Sequence, residues 1–131
     1  MLEPERVRIL VVDDSARMRE SVREIVESSA FQVVAEARDG QEAVSRFEDH
    51  WPDVVLLDLV MPELSGCGAL LEMLLRDPVA RVVMCSSLGQ EALANSALRN
   101  GACDVVAKPF DPDRLLTALE NAALKPRIPP V

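Results

Sequence analysis

The sequence lacks the long apolar runs and the surplus of basic residues that direct a chain to a membrane or to nucleic acid. No apolar run approaches the roughly 20 residues of a membrane span, and Asp58 and Arg81 interrupt the longest ones. Three of the first six residues are charged, and this segment lacks the apolar core of a signal peptide. Acidic residues outnumber basic ones by 22 to 14, a net charge of −8, which repels phosphate backbones. We therefore expect a cytoplasmic protein with no membrane segment and no direct contact with nucleic acid.

Cysteine is also scarce. Cys67, Cys85 and Cys103 show no paired metal-ligand spacing, and each lies in an apolar neighbourhood. We expect three reduced thiols in or near the core, rather than a zinc site or a disulfide framework.

What the sequence does contain is a regular alternation of strand and helix patterns. The chain has 131 residues, with 49% hydrophobic and 27% charged residues, which fits one globular domain. Five β–α units in succession predict an α/β fold, a parallel sheet covered by helices on both faces. The predicted strands are 7–12, 31–35, 54–58, 81–85 and 104–107. A helix follows each strand. The first is capped by Asp14 or Ser15 and includes residues 18–26, the second lies between the turn at 39–40 and the break at 51–53, the third and fourth are near 67–76 and 90–99, and the fifth begins at 111–112. Residues 1–124 form the predicted domain, and residues 125–131 are a proline-rich tail or the stub of a linker.

Two helices have unusual compositions. The third contains Leu70, Leu71, Met73, Leu74 and Leu75 and is expected to be largely covered. The fourth helix and its surroundings contain Ala92, Ala94, Ala97 and Ala102. These alanines predict a small, apolar surface that suits a partner helix or a second copy of the chain.

Polar residues follow four of the five predicted strands. They are the pair Asp13–Asp14 after the first strand, Asp58 at the end of the third, Ser86 after the fourth and Lys108 after the fifth. In an open parallel sheet whose order reverses beside the first strand, strands one and three flank the ligand crevice. That arrangement would bring Asp13, Asp14 and Asp58 together.

Electrostatics favours a metal among these acids. Carboxylates about 5 Å apart repel by roughly 3 kcal/mol per pair at an effective dielectric of ~20. Three such oxygens suit Mg²⁺ together with a substrate phosphate, and Lys108 supplies one charge for a phosphate oxygen. The pattern indicates that Asp58 is a nucleophilic carboxylate that forms an acyl phosphate.

Each of these residues has a simpler interpretation when it is considered alone. Asp13 and Asp14 could cap a helix, Asp58 could form a turn, Ser86 and Ser87 could cap the fourth helix, and Lys108 could be solvated. Their coincidence at consecutive strand ends favours one site.

Two other functional classes fit the pattern less well. An aspartate-nucleophile phosphatase needs two acids separated by one residue at the first strand, and here they are adjacent. A flavin or nucleotide module needs glycines in the first β–α turn, which instead opens with acids.

The motifs at the strand ends resemble those of a known family. Val11-Val12-Asp13-Asp14-Ser15, Leu57-Asp58-Leu59-Val60-Met61-Pro62 with Gly66, Ser86, and Lys108-Pro109-Phe110 are similar to the receiver domain of two-component response regulators. The resemblance covers residues 6 to 124 and is strongest to the free-standing chemotaxis-type (CheY-like) regulators. It implies a flavodoxin-like sheet of order 2-1-3-4-5, the order of the chemotaxis member.

The resemblance also implies roles for single residues. Asp58 would accept phosphate from a sensor histidine kinase or a phosphotransfer protein. The implied Mg²⁺ ligands, with Mn²⁺ as a substitute, are Asp13, Asp14, Asp58 and the Val60 main-chain carbonyl. Lys108 would pair with the phosphoryl group, and Ser86 would bind a phosphoryl oxygen and move inward on activation.

Three positions depart from the pattern of the family. Val105 stands where many receivers have a switching aromatic, so the signal is expected to pass through backbone shifts in the loop after the fourth strand. Val60 and Leu88 stand where the family has side chains that modulate phosphate lifetime. Neither can orient a water molecule by hydrogen bonding, so a long-lived acyl phosphate is expected.

The output of such a domain is a change in partner binding. The expected surface is formed by the fourth helix, fifth strand and fifth helix, with a homodimer as one option. Catalysis would be limited to the domain's own phosphorylation and dephosphorylation. The alternative is the N-terminal receiver of a larger regulator with a DNA-binding or methylesterase output.

Overall fold

The structure is a computed structural model that describes residues 6–126. Five strands and five helices alternate along the chain. The strands are β1 (Val7–Val12), β2 (Phe31–Ala37), β3 (Val54–Asp58), β4 (Val82–Ser86) and β5 (Asp104–Ala107), and the helices are α1 (Ala16–Glu27), α2 (Gly40–His50), α3 (Gly66–Arg76), α4 (Glu91–Arg99) and α5 (Pro112–Leu124).

All strand pairs are parallel, and the order is β2-β1-β3-β4-β5. The predicted α/β fold, with its reversal of strand order beside β1, is confirmed. Among the described residues, no helix is long and apolar enough to cross a membrane.

The two faces of the sheet carry separate cores because successive strand residues point to opposite sides. On one side Leu10, Val12, Val55 and Leu57 pack with buried residues of α2, α3 and α4. On the other side Ile9, Val11, Val54 and Leu56 pack with buried residues of α1 and α5. The central strand β3 is buried along its whole length. A charged residue at its end is therefore held by a rigid frame.

Side-chain caps start four of the helices close to the sheet. Ser15, Asp39, Ser65 and Asp111 each accept a hydrogen bond from an N–H of the following helix. Because Ser15 caps α1, neither Asp13 nor Asp14 is that cap. Helix α4 has Gln90 at its N-cap position and no side-chain cap, so Ser86 and Ser87 do not cap it either.

Several boundaries and exposures differ from the predictions. Strand β2 runs two residues further, to Ala37, whose carbonyl accepts the Asp13 N–H. Strand β4 is shifted by one residue and ends at Ser86, which lies in register with Ala107.

The third helix is not largely covered, because its leucines exceed the width of the face that packs on the sheet. Leu71 and Leu75 are 48% and 78% exposed. The expected alanine surface is also smaller than predicted, since Ala97 and Ala102 are buried. Of the predicted tail, residues 127–131 lie outside the described residues.

Candidate functional site

The first and third strands deliver their acids to the same edge of the sheet. Val12 and Leu57 lie in register on adjacent strands, so Asp13 and Asp58, the next residues, emerge side by side. Asp13 is 3% exposed and Asp58 is 5% exposed, whereas Asp14 is exposed. One carboxylate oxygen from each of the three acids lies within 4.8 Å of the other two. The structure thus brings together the three acids that the sequence singled out.

Asp13 is fixed by hydrogen bonds on every polar atom. Its N–H donates to the Ala37 carbonyl over 3.0 Å, and its own carbonyl accepts from Arg19 Nη1 over 2.6 Å. Its Oδ1 accepts the Ser15 N–H over 2.9 Å, and its Oδ2 accepts from Lys108 Nζ over 2.7 Å. The acid therefore has one defined position at the end of β1.

Lys108 links the two buried acids from the far side of the site. Its Nζ lies 2.7 Å from Asp13 Oδ2 and 3.2 Å from Asp58 Oδ2. Its main-chain N–H donates to the Ser86 carbonyl over 2.7 Å, which ties the end of β4 to the lysine. Burial by itself lowers the pKa of Lys108, but its contacts with Asp13 and Asp58 outweigh burial and raise the pKa. These contacts favour the charged form of the lysine in this site.

Asp58 is held in a less favourable environment. Burial raises the pKa of its carboxyl group, Lys108 opposes that rise, and the charge of Asp13 adds to it. Its Oδ1 accepts a long hydrogen bond of 3.5 Å from the Val60 N–H. Raised pKa values caused by burial and charged neighbours are common at reactive sites.

The residues fit a divalent cation. The three clustered carboxylates and the single ammonium group of Lys108 leave two negative charges in excess. Hard carboxylate oxygens at this spacing suit Mg²⁺ or Mn²⁺. Asp13, Asp14 and Asp58 would supply carboxylate ligands, and the main-chain carbonyl of Val60, two residues after Asp58, stays a predicted ligand.

Ser86 and Val105 lie beside the acid site in a surface groove of about 360 Å³. The groove is lined by residues of the β4–α4 loop, α4 and β5, including Ser86, Leu88, Val105 and Lys108. Val105 packs against the core on the α2–α4 side. Val105 and Lys108 therefore share one groove.

Two features of the site were not found from the sequence. Gly66, at the start of α3, was noted only as part of a motif, but a Cβ there would lie 2.0 Å from the Asp58 carbonyl oxygen. Glycine is therefore required for α3 to approach the end of β3. The contact of Arg19 with the Asp13 carbonyl was missed entirely, because no periodicity or spacing marks a side chain that returns to the turn before its own helix.

Comparison with known proteins gives a consistent result. The family model described as response regulator receiver domain matches residues 9–120. The chemotaxis protein CheY of Listeria monocytogenes is 46% identical over 117 residues, which cover 89% of this chain and 98% of that protein.

Solved structures are similar over most of the chain. A chain in the crystal structure of the CheX–CheY–BeF3–Mg²⁺ complex from Borrelia burgdorferi has a TM-score of 0.85 and 34% identity, over 90% of both chains. The response regulator domain of Thermotoga maritima CheB has a TM-score of 0.85 and 39% identity, and the match covers 92% of this chain and 99% of that domain.

Proposed function

Because the chain belongs to the response regulator receiver family, we propose that it is a signalling switch activated by phosphorylation of Asp58. One observation carries the proposal. Asp58 is a buried carboxylate at the end of the central strand, and it shares Lys108 with Asp13 beside a third acid. A buried acid with a shared countercharge, at a strand end of an α/β sheet, is suited to accept a ligand group.

The proposed reaction transfers a phosphoryl group to Asp58 from a phosphohistidine of a sensor kinase or phosphotransfer protein. An oxygen of Asp58 attacks phosphorus while the phosphorus–nitrogen bond breaks, and the histidine side chain leaves with a proton. Mg²⁺, when bound by Asp13, Asp14, Asp58 and the Val60 carbonyl, supplies charge neutralisation for the phosphoryl oxygens. Beyond this reaction and the hydrolysis of its product, we propose no catalytic activity.

Lys108 supplies the compensating charge on the protein side. In the unphosphorylated site its ammonium group bonds to both buried acids. Once Asp58 is phosphorylated, the ammonium group of Lys108 would pair with a phosphoryl oxygen, and Ser86 at the end of β4 would hydrogen-bond a phosphoryl oxygen and move inward. The Lys108 N–H donates a hydrogen bond to the Ser86 carbonyl. A movement of either residue would therefore displace the main chain of the other.

We propose that the signal reaches a partner through α4, β5 and α5. The groove beside Val105 and the side chains of Leu88, Leu93 and Leu98, which are 97%, 43% and 43% exposed, offer apolar area there. In this proposal Val105 replaces the switching aromatic, and movement of the β4–α4 loop changes the groove. A downstream protein in the cytoplasm is the proposed partner, and a homodimer is the second option.

The similarity to a CheB receiver favours one alternative output, in which the same domain regulates an attached methylesterase. The phosphorylation chemistry would be the same in both cases.

Beryllofluoride, a phosphoryl mimic, tests the proposal without a kinase. With Mg²⁺, it should shift the backbone amide resonances of Asp58, Ser86 and Lys108 in the wild-type protein, and no such shifts should occur in Asp58→Asn. Unchanged wild-type resonances at saturating beryllofluoride would refute the proposed role of Asp58.

A further inference from the structure

The Asp13–Asp14 peptide is held by a side chain that the reaction itself does not use. Arg19 lies on α1 with 17% of its side chain exposed, and its Nη1 donates to the Asp13 carbonyl over 2.6 Å. That carbonyl belongs to the peptide group between Asp13 and Asp14. The orientation of this peptide group sets the direction in which the Asp14 side chain projects from the main chain.

Arg19 is itself held in place by a network of charges. Its Nε donates to Glu36 Oε1 over 3.0 Å, and Glu36 Oε2 accepts from Arg23 Nη2 over 2.7 Å. Arg23 also bonds Glu27 over 3.0 Å on the same helix. Since Glu36 is on β2 and both arginines are on α1, the network fixes the guanidinium group between two elements.

The other polar atoms of Asp13 are bonded by Ala37, Ser15 and Lys108. Arg19 completes this set at the Asp13 carbonyl oxygen, which belongs to the peptide group that connects Asp13 to the exposed Asp14. Second-layer hydrogen bonds of this kind orient metal ligands and affect metal affinity strongly. We propose that Arg19 is a positioning residue for the divalent cation, acting through the Asp13–Asp14 peptide, an inference that rests on the proposed function.

Charge and positioning predict opposite effects of removing Arg19. Loss of a positive charge near three acids would by itself tighten cation binding, since the site becomes more negative. Loss of the hydrogen bond to the Asp13 carbonyl frees the Asp13–Asp14 peptide and should weaken binding. The direction of the change in affinity therefore separates the two explanations.

The test measures Mn²⁺ affinity of the unphosphorylated protein by electron paramagnetic resonance of the free ion. Arg19→Met should weaken Mn²⁺ binding by about tenfold, although charge alone would strengthen it. Arg19→Gln, whose side chain is too short to reach the Asp13 carbonyl, should also weaken Mn²⁺ binding. This second variant provides the test if Arg19→Met does not fold. In the metal-free protein, amide hydrogen exchange at Asp14 and Ser15 should become faster in both variants.

Two variant pairs with unchanged net charge provide the control. Arg19→Met with Glu36→Gln removes the contact to Asp13, and should weaken Mn²⁺ binding as Arg19→Met does. Arg23→Met with Glu27→Gln removes an ion pair of the same network that does not contact Asp13, and should leave the affinity within about twofold of wild type.

The inference is overturned if Arg19→Met and Arg19→Gln bind Mn²⁺ as tightly as wild type or more tightly. It is also overturned if the Arg23 and Glu27 pair weakens binding as much as the Arg19 and Glu36 pair. If the wild-type protein does not bind Mn²⁺, the proposed function fails, and the positioning role fails with it.

Discussion

At the scale of single residues, the site is an arrangement of charges that the fold holds at some cost. Asp13 and Asp58 are both buried, and one ammonium group serves both of them. Since burial and Asp13 raise the pKa of Asp58, ionising this carboxyl at neutral pH opposes folding. The same excess negative charge is what makes the site suitable for a divalent cation.

Asp58→Asn should therefore stabilise the metal-free protein. A group whose pKa is raised on folding destabilises the folded state when ionised, so at pH 7 its replacement by a neutral amide removes a penalty. We expect a gain of about 1 kcal/mol, or roughly 3–5 °C in the melting temperature, measured by thermal denaturation with a chelator present.

With Mg²⁺ bound, the wild-type protein should become more stable than Asp58→Asn. At a concentration of 100 times its Kd, a ligand adds about 2.7 kcal/mol to the stability of the protein that binds it. The wild-type protein should gain most of that and Asp58→Asn much less. The matched control is Asp49→Asn on the exposed surface of α2. It should change neither the metal-free melting temperature nor the stability gained with Mg²⁺. A metal-free Asp58→Asn protein that melts below wild type would contradict the account.

We expect single side chains to set the lifetime of the proposed acyl phosphate as well. Val60 and Leu88 are 51% and 97% exposed, and neither can hold a water molecule for attack on phosphorus. Dephosphorylation with Mg²⁺ should take minutes or longer. The measurement is the decay of labelled phosphoprotein with time. Val60→Gln should shorten the lifetime and Val60→Leu should not. A wild-type lifetime of seconds would count against this interpretation.

At the scale of secondary-structure elements, close approach and ion pairs position the site. Helix α3 starts against the backbone of β3, and the network around Glu36 ties α1 to β2. The first contact is at the Asp58 backbone, and the second includes Arg19, which bonds to the Asp13 carbonyl. Changes at these contacts should affect the site and not only the overall stability.

Gly66→Ala should distort the end of β3. The new Cβ would lie 2.0 Å from the Asp58 carbonyl oxygen, which is backbone and cannot rotate away. We expect a loss of about 2 kcal/mol or more in unfolding free energy and weaker phosphorylation of Asp58.

The control for this substitution lies two residues further along α3. In Gly68→Ala the nearest atom to the new Cβ is Leu64 Cδ1, at 2.6 Å, the end of a flexible side chain. Because alanine favours a helix, Gly68→Ala should be close to neutral in chemical denaturation. Equal losses for both variants would argue against a special role of Gly66.

The ion network gives a defined pH dependence. The hydrogen bond with Arg23 lowers the pKa of Glu36, an effect that burial opposes and Arg19 reinforces. A lowered folded-state pKa means that Glu36 contributes stability above its unfolded pKa, and that this is lost as the pH falls through the folded pKa.

Glu36→Gln should therefore cost about 0.5–1 kcal/mol at pH 7, since the side chain is partly exposed. The cost should vanish in acid, below the folded pKa, in urea denaturation at a series of pH values. Glu24→Gln on the exposed surface of α1 should show no such trend. A difference between wild type and Glu36→Gln that persists in acid would contradict the ion-pair explanation.

At the scale of the whole molecule, local patterns predicted most of the fold. Strand β3 consists of four aliphatic residues followed by Asp58. The sequence predicts it with the observed bounds, because burial on both faces leaves a continuous apolar signal. The strand order came from the resemblance and is confirmed. The same reasoning located the acids and the lysine, because parallel strands end at one edge.

What the sequence could not provide depends on contacts between distant segments. Leu71 and Leu75 look like core residues, yet they face solvent, because a helix with leucine on most sides does not indicate which side is covered. The extra length of β2 depends on the bond from Asp13 to Ala37. The open groove beside Val105 depends on how α4 packs against β5. These features follow from packing, which periodicity does not encode.

The proposed switch depends on the phosphorylation of one residue, Asp58. The direct measurement is the intact mass of the protein after incubation with Mg²⁺ and a small phosphodonor. The wild-type chain should gain the mass of one phosphoryl group, a chelator should prevent the gain, and Asp58→Asn should show none. Labelling that persists in Asp58→Asn, or a wild-type chain that stays unlabelled, would contradict it.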